Sequence, residues 1–343
     1  MSDRMTYADA GVDIDSENEV ITAIVSGIKS TLSFRKGKVG ESIMGIGHFS
    51  GLVRLDKKRA IAMTSDGVGT KIIVANMISK YDTIGIDLIA MNANDIICIG
   101  AEPVTMMDYI AVEKHDPKIS REIAKGLAAG AEMAGISISG GELATLPEII
   151  NGIDLAGFMV GIVDIDRIIT GKDIKLGDAV VGLESSGIHS NGLTLARKVL
   201  FGKYDPNDRI FHKRTVAQEL LIPTKIYVKE VLEIINKVRV KGLANITGGG
   251  LGNLSRLTDY GFYIDNLPEP QKVFREIQRV GNVSEKEMYR TFNMGIGFCV
   301  VVDDEDVEKV IEICKKHGMK AFKIGRVVRE EGVKIGEKFV LKY

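Results

Sequence analysis

AIAMTSDGVGTKIIVANMIS, residues 60–79, changes its hydrophobic period half-way, and that change sets the fold class. Ala60–Ser65 is a short apolar run of strand length. Gly67 and Gly69 interrupt it, and Lys71–Ser79 continues with apolar residues at helical spacing. Asp66 therefore leaves a strand end while Lys71 opens a helix. Outward from this unit, the pattern predicts a helix over Gly85–Ile99, a strand over Val104–Val112 and a helix over Ile119–Ala134 that stops at Gly135. Short strands follow at Ile136–Ser139 and Ile153–Val163.

A polar connection, Asp164–Asp178, precedes a second series. That series has a strand at Ala179–Leu183, a helix from Leu193, and a helix starting near Pro223 and running to Lys237. Strands near Val240–Ile246 and Phe298–Val302 and an amphipathic helix over Asp304–His317 complete it. Strands and helices are mixed without the regular alternation of a doubly wound sheet. The expectation is an α+β chain of two domains, 1–168 and 169–343, consistent with a prior of about 150 residues per domain.

Bulk composition narrows the function classes. Hydrophobic residues make up 45% and charged residues 27% of the 343, the balance of a globular chain with a sizeable core. A net charge of −1 supplies no global field for nucleic acid or an anionic membrane. No apolar stretch approaches the ~20 residues of a membrane span, and Met1–Gly11 lacks the apolar segment of a signal peptide. A cytoplasmic protein without nucleic-acid or membrane partners is expected. Cys98, Cys299 and Cys314 are far apart and lack metal-site spacing, so they read as buried neutral thiols.

Three blocks in the first half can carry chemistry. In Asp66-Gly67-Val68-Gly69-Thr70-Lys71, the glycines let amides approach phosphate oxygens, the helix start favours anions, and Asp66 can hold a divalent cation. The same letters also suit a tight turn with a capping aspartate. The spacing is not that of a GxxxxGK[ST] loop. On the following helix Asp87, Asn94 and Asp95 share one face at ~100° per residue, although the rest of the segment is apolar. Buried carboxylates demand a cation or hydrogen bonds. Ser139-Gly140-Gly141-Glu142 is read as a turn at a strand end that projects Glu142 into a cleft. Asp66, Asp87, Asp95 and Glu142 together form a hard oxygen set suited to Mg²⁺ on nucleotide phosphates.

Phe34–Gly51 is rich in glycine, Gly45 and Gly47 among them, with Arg35, Lys36 and Lys38 at its start. It reads as a phosphate-covering loop or a plain surface loop, and no flanking strand–helix pair supports a dinucleotide fold. The second half offers Ser185–Asn191 with His189, Ser190 and Asn191; Thr247-Gly248-Gly249-Gly250-Leu251; and Thr291–Gly295 with Asn293. His189 stands among small polar neighbours, whereas His115, His212 and His317 lie in charged, solvated-looking surroundings.

With these blocks in order, the chain resembles the aminoimidazole ribonucleotide synthetase family. The resemblance rests on YADAGVDI (Tyr7–Ile14), SDGVGTK (Ser65–Lys71), NDI with AEP (Asn94–Pro103), DYIA (Asp108–Ala111) and DLAGF (Asp154–Phe158). SSGIHSNG (Ser185–Gly192), ITGGGL (Ile246–Leu251) and TFNMGIG (Thr291–Gly297) extend it over nearly the whole chain. It implies ATP-dependent closure of formylglycinamidine ribonucleotide to aminoimidazole ribonucleotide, with release of ADP and phosphate. It also implies a homodimer whose N-terminal mixed sheets pair in a barrel-like interface, and a sandwich-type α/β C-terminal domain.

On that resemblance Asp66, Asp95 and Glu142 hold Mg²⁺, and Asp66, Gly67, Gly69, Thr70, Lys71, Asp87, Asn94, Gly140, Gly141, Arg35, Lys36, Gly45 and Gly47 surround ATP. Ser190, Asn191, Thr247, Gly248, Gly249, Gly250 and Asn293 bind the ribonucleotide. His189, Lys71 and Asp95 act in the reaction. Two stretches depart from the family pattern: Gly47-His48-Phe49-Ser50 stands in place of GGFG, and Leu143–Ile149 in place of TAEMPGxY. The wider superfamily includes thiamine-monophosphate kinase, formylglycinamidine ribonucleotide synthetase, selenophosphate synthetase and a hydrogenase maturation factor. A silent nucleotide-binding subunit is the alternative outside enzymes.

Overall fold

A computed structural model of the chain describes residues 5–11 and 14–341, so Val12 and Asp13 of the YADAGVDI motif lie outside the described residues. Strands β1 (Gly51–Arg54), β2 (Arg59–Gly67), β3 (Glu102–Val112), β4 (Ser137–Thr145) and β5 (Ile153–Asp164) form a mixed sheet in the order β1-β2-β5-β3-β4. Strands β6 (Ala179–Glu184), β7 (Gly242–Asn245), β8 (Gly261–Ile264), β9 (Ile296–Val302), β10 (Ala321–Val328), β11 (Val333–Ile335) and β12 (Phe339–Leu341) form a second, in the order β12-β11-β8-β10-β6-β9-β7. Residues 165–178 join the two sheets and include position 168. Each sheet has one parallel pair, β3 with β4 and β11 with β8, among antiparallel neighbours.

Helices α1 (Ile14–Ile28), α2 (Lys71–Ile78), α3 (Ile84–Ile97) and α4 (Pro117–Ala134) belong to the first half. Helices α5 (Leu193–Phe201), α6 (Val216–Leu220), α7 (Val228–Lys237), α8 (Lys272–Gly281), α9 (Glu285–Thr291) and α10 (Val307–Lys316) belong to the second. The parallel β3–β4 pair needs a crossover, and α4 supplies it. Its ends follow the local chemistry: Asp116 caps the start, Pro117 takes the first turn, and Gly135 closes the end at φ +72°.

Helix α3 is the pivot of the molecule. It packs on β2 and β5, on α4, and on α7 from the C-terminal half. Contact with the sheet is close because β5 carries Gly157, where a Cβ would come within 2.7 Å of Asn92 Nδ2. Enclosed on these sides, α3 buries Asp87, Asn92 and Asn94 along with its aliphatic residues. In the second sheet all seven residues of β9 are buried, giving that half its aliphatic centre.

Two expected elements are corrected. Ser139–Glu142 is not a turn at a strand end, because β4 runs straight through it to Thr145. The helix expected from Pro223 starts only at Val228, and residues 222–227 run as irregular chain that meets the first domain at Asp87 and Asn94. All three cysteines are buried.

Candidate active site

The polar face of α3 meets the C-terminal half along its length, and its three expected site residues have different fates. Lys71, at the start of α2, has no exposed side-chain surface. Its ammonium donates to Asp87 Oδ1 at 2.8 Å and to the Ile222 carbonyl at 2.6 Å. The same Asp87 oxygen accepts the Thr224 backbone N–H and hydroxyl, each at 2.7 Å, and the Ser190 hydroxyl at 3.3 Å. Burial pulls the Lys71 pKa down, and the Asp87 charge opposes that shift. Lys71 and Asp87 thus pair within the first domain, and Ile222, Thr224 and Ser190 of the C-terminal half close over the pair. Asn94 is a second bridge: it donates to the Lys225 carbonyl at 2.9 Å and accepts the Tyr227 N–H at 3.0 Å.

Asp95 is different. Its carboxylate accepts the Asn245 side-chain amide at 2.8 Å, and the Arg256 charge acts on it. Burial pushes its pKa up to about 7; the negative charge of Asp66 adds to the shift, while Asn245 and Arg256 oppose it. Asp66 is also raised, by burial, although the Gly67 N–H donates to it at 2.7 Å. Two carboxylates with too little compensating positive charge make a place that favours a cation.

The strand register separates Glu142 from this pair. Asp66, Gly157, Asp108 and Gly141 lie in one row across β2, β5, β3 and β4, on the face toward α3. Glu142 belongs to the adjacent row with Tyr109, Ala156 and Gly67, so it opens on the opposite face. Among the described residues no three acidic, histidine or cysteine side chains come together as a metal cluster. Gly141 instead makes room for Asp108, since a Cβ there would sit 1.9 Å from Asp108 Oδ1.

The C-terminal loops close over α3. His189 has φ +66°, is buried, and accepts the Ser186 N–H at Nε2 at 3.2 Å. Burial first, then the charges of Lys71 and Lys225, lower its pKa to about 3, so the ring is neutral with its proton on Nδ1. Asn293 holds this loop by donating to the Gly187 and Ile188 carbonyls. Asn191 keeps a buried Nδ2 without a hydrogen-bond partner, and its Oδ1 would lie 3.4 Å from a Cβ at Gly248. The Thr247–Gly250 loop and Asn191 therefore share one wall of the cleft. Thr70 reaches the same half through Thr194, hydroxyl to hydroxyl at 3.0 Å.

Arg35, Gly45, Gly47 and His48 line a cavity of about 250 Å³ beneath the glycine-rich segment. Arg35 folds back onto the Val39 carbonyl, and Lys36 is exposed outside the cavity lining. Gly140 stands on the outer row of the sheet with Met107. Sequence reading passed over Thr224, Tyr227, Asn245 and Arg256, and treated Asp108 only as part of a motif. The run Pro223–Tyr227 could have signalled the first two had it been read as a loop rather than a helix start. His317 is half-buried against Glu233 at 2.7 Å, not solvated.

Residues 47–163 match AIR synthase related protein, N-terminal domain, and residues 175–338 match its C-terminal domain. The chain belongs to the AIR synthase related family. Among curated relatives in this family, the phosphoribosylformylglycinamidine cyclo-ligase of Methanocaldococcus jannaschii is 55% identical over 99% of this chain and 97% of its own. That of Methanothermobacter thermautotrophicus is 52% identical over 94% of each. Among solved structures, the thiamine-monophosphate kinase of Stenotrophomonas maltophilia K279a has a TM-score of 0.64 at 16% identity, covering 90% of this chain and 95% of that one. T. maritima PurL complexed with ATP has a TM-score of 0.59 at 16% identity, covering 89% of this chain and 45% of that one. These two show that the family's fold is shared.

Proposed function

We propose that this member of the AIR synthase related family is a phosphoribosylformylglycinamidine cyclo-ligase. It converts formylglycinamidine ribonucleotide and ATP to aminoimidazole ribonucleotide, ADP and phosphate. The observation that carries this is the 55% identity to a cyclo-ligase over 99% of the chain. The formyl amide oxygen attacks the γ-phosphorus and ADP leaves. The amidine nitrogen then attacks the activated carbon, loses a proton, and inorganic phosphate departs with the former amide oxygen. Most of the protein's work is positioning and charge stabilisation.

Asp66 and Asp95 are the residues that would hold Mg²⁺, because two carboxylates raised chiefly by burial suit a hard cation bound by one or two acids plus phosphate. When bound, the ion would offset negative charge on the nucleotide. The Nδ1–H of neutral His189 is suited to donate to the substrate's reacting end. Asn191 and Thr247–Gly250 would take its ribose phosphate, and the Arg35–Gly47 segment the nucleotide.

Pairing of two chains through the first sheet is supported by its outer face, where Met63, Met107, Tyr109 and Phe158 are exposed. Glu142 lies on that face, so this reading puts it at the subunit junction. Phe158→Asp would then shift the sedimentation coefficient from dimer to monomer, and an unchanged value would sink the pairing. No helix among the described residues is long and apolar enough to cross a membrane. We place the enzyme in the cytoplasm, with its nucleotide substrates.

The test is a coupled assay with formylglycinamidine ribonucleotide, ATP and Mg²⁺ on the wild type and Asp95→Ala. Stoichiometric ADP and aminoimidazole ribonucleotide, lost in the variant, are expected. Labelled γ-phosphate retained on an organic product would indicate a kinase instead. Nucleotide binding without substrate-dependent turnover would indicate a silent subunit.

A further inference from the structure

The 3-10 turn Gly250–Arg256 begins in one proposed ligand loop and ends on a side chain that grips the other. At its start the backbone is fixed: Gly249 and Gly250 have φ of +94° and +56°, and a Cβ at Gly250 would come within 2.1 Å of the Tyr289 carbonyl. At its end Arg256 Nη2 donates to the Gly47 carbonyl at 3.0 Å. The same guanidinium lies 4.1 Å from the centre of the Phe49 ring. Phe49 is buried and meets His48 edge-to-face at 5.5 Å, and His48 lines the cavity with Arg35, Gly45 and Gly47. The next residue, Ser50, donates to the Asp95 carbonyl at 2.7 Å.

A hydrogen bond holds the Gly47 peptide, and a cation–π contact holds the Phe49 ring two residues on. A single side chain thereby ties the glycine-rich segment at two points to the turn that follows the Thr247–Gly250 loop. Lysine could supply the hydrogen bond but not the planar stacking face. Arg256 needs no contact with a reacting atom to act in this way.

We propose that Arg256 is a positioning residue that couples the two loops, so that ribonucleotide phosphate on Thr247–Gly250 and nucleotide beneath Gly45–Phe49 each raise the affinity for the other. The inference rests on the assignment of those loops made above. Linkage requires the enhancement to be equal whichever ligand is added first.

The experiment is calorimetric titration of a non-hydrolysable ATP analogue with Mg²⁺, with and without saturating formylglycinamidine ribonucleotide, on the wild type, Arg256→Lys and Arg256→Met. In the wild type, substrate should tighten analogue binding about fivefold or more. In Arg256→Met that factor should fall below about twofold, while binding of the analogue alone stays within about threefold. Arg256→Lys should fall between. Steady-state assays should show raised KM for both substrates, with kcat at joint saturation changed by less than about threefold. Full enhancement in Arg256→Met overturns the coupling role. A wild type that binds both ligands with no enhancement overturns it too, while leaving the loop assignments standing. A wild type that fails to bind either ligand overturns the coupling and the assignments together.

Discussion

Asp87 and Asp95 stand on one face of α3, eight residues apart, yet they live in opposite electrostatic worlds. One oxygen of Asp87 gathers four donors, and a fully buried lysine neutralises its charge. Asp95 has one amide donor, a second carboxylate nearby and a pKa of about 7. The difference lies in what the C-terminal half brings to each place: the irregular run 222–227 at Asp87, and an asparagine of β7 at Asp95. A buried acid whose charge is neutralised holds domains together, even with Oδ2 of Asp87 left without a hydrogen-bond partner. A buried acid left short of compensation is available for a ligand's charge.

The most damaging way to test this contrast is to remove one partner of the compensated pair. Lys71→Met leaves the Asp87 carboxylate buried without its cation, which should cost about 3–5 kcal/mol of stability. Urea unfolding followed by circular dichroism measures it. The double variant Lys71→Met/Asp87→Leu should recover much of the loss, because a buried pair is often replaceable by apolar side chains of similar volume. Asp95→Asn, by contrast, should lower ring closure by at least ~10³-fold while leaving stability without Mg²⁺ at or above the wild-type value. If Lys71→Met stays within about 1 kcal/mol of the wild type, the pair is not the domain clamp described.

A second test uses acid. His189 sits beside the compensated pair, and its pKa is depressed from 6.5 to about 3, with burial the main cause and the Lys71 charge next. A depressed folded-state pKa means the unfolded chain takes the proton first. The contribution of His189 to stability is therefore complete above pH 6.5 and is lost as pH falls toward 3. The slope has a ceiling of about 1.4 kcal/mol per pH unit for one group. His189→Asn should remove that component, so the variant's urea midpoint should fall less steeply than the wild type's between pH 6.5 and 4.5. Parallel curves would show that His189 is protonated in the folded protein at those pH values.

Much of this arrangement can be read from the chain, for reasons that differ by region. The strand–glycine–helix unit at 60–79 is local, so period and punctuation place β2 and α2 closely. The polar face of α3 is legible too, since Asp87, Asn94 and Asp95 fall together on any helix. What sequence spacing misses is which face of a sheet, or which domain, arrives opposite. Glu142 reads as a member of the acidic set, but strand parity sends it to the other side from Asp66. Lys71 reads as a phosphate ligand because it opens a helix after two glycines. Its real partner lies on the next helix, with Ile222 closing over it from the other domain. Arg256 carries no signal in its own neighbourhood, because its contacts at Gly47 and Phe49 lie some two hundred positions away.

The smallest expected effect is the control that gives the first its meaning. Lys80 and Asp82 form an ion pair at 2.8 Å, the same separation as Lys71 and Asp87, but their side chains are 43% and 42% exposed. Water already solvates both charges, so bringing them together gains little, and holding two side chains in one geometry costs entropy. Lys80→Ala should change stability by no more than about 1 kcal/mol, and added salt should shrink the effect further. The urea midpoints of Lys80→Ala and Lys71→Met, measured side by side, separate distance from environment. Similar losses would mean that the buried pair owes nothing to its burial, and the contrast between Asp87 and Asp95 would then have to rest on the number of hydrogen bonds alone.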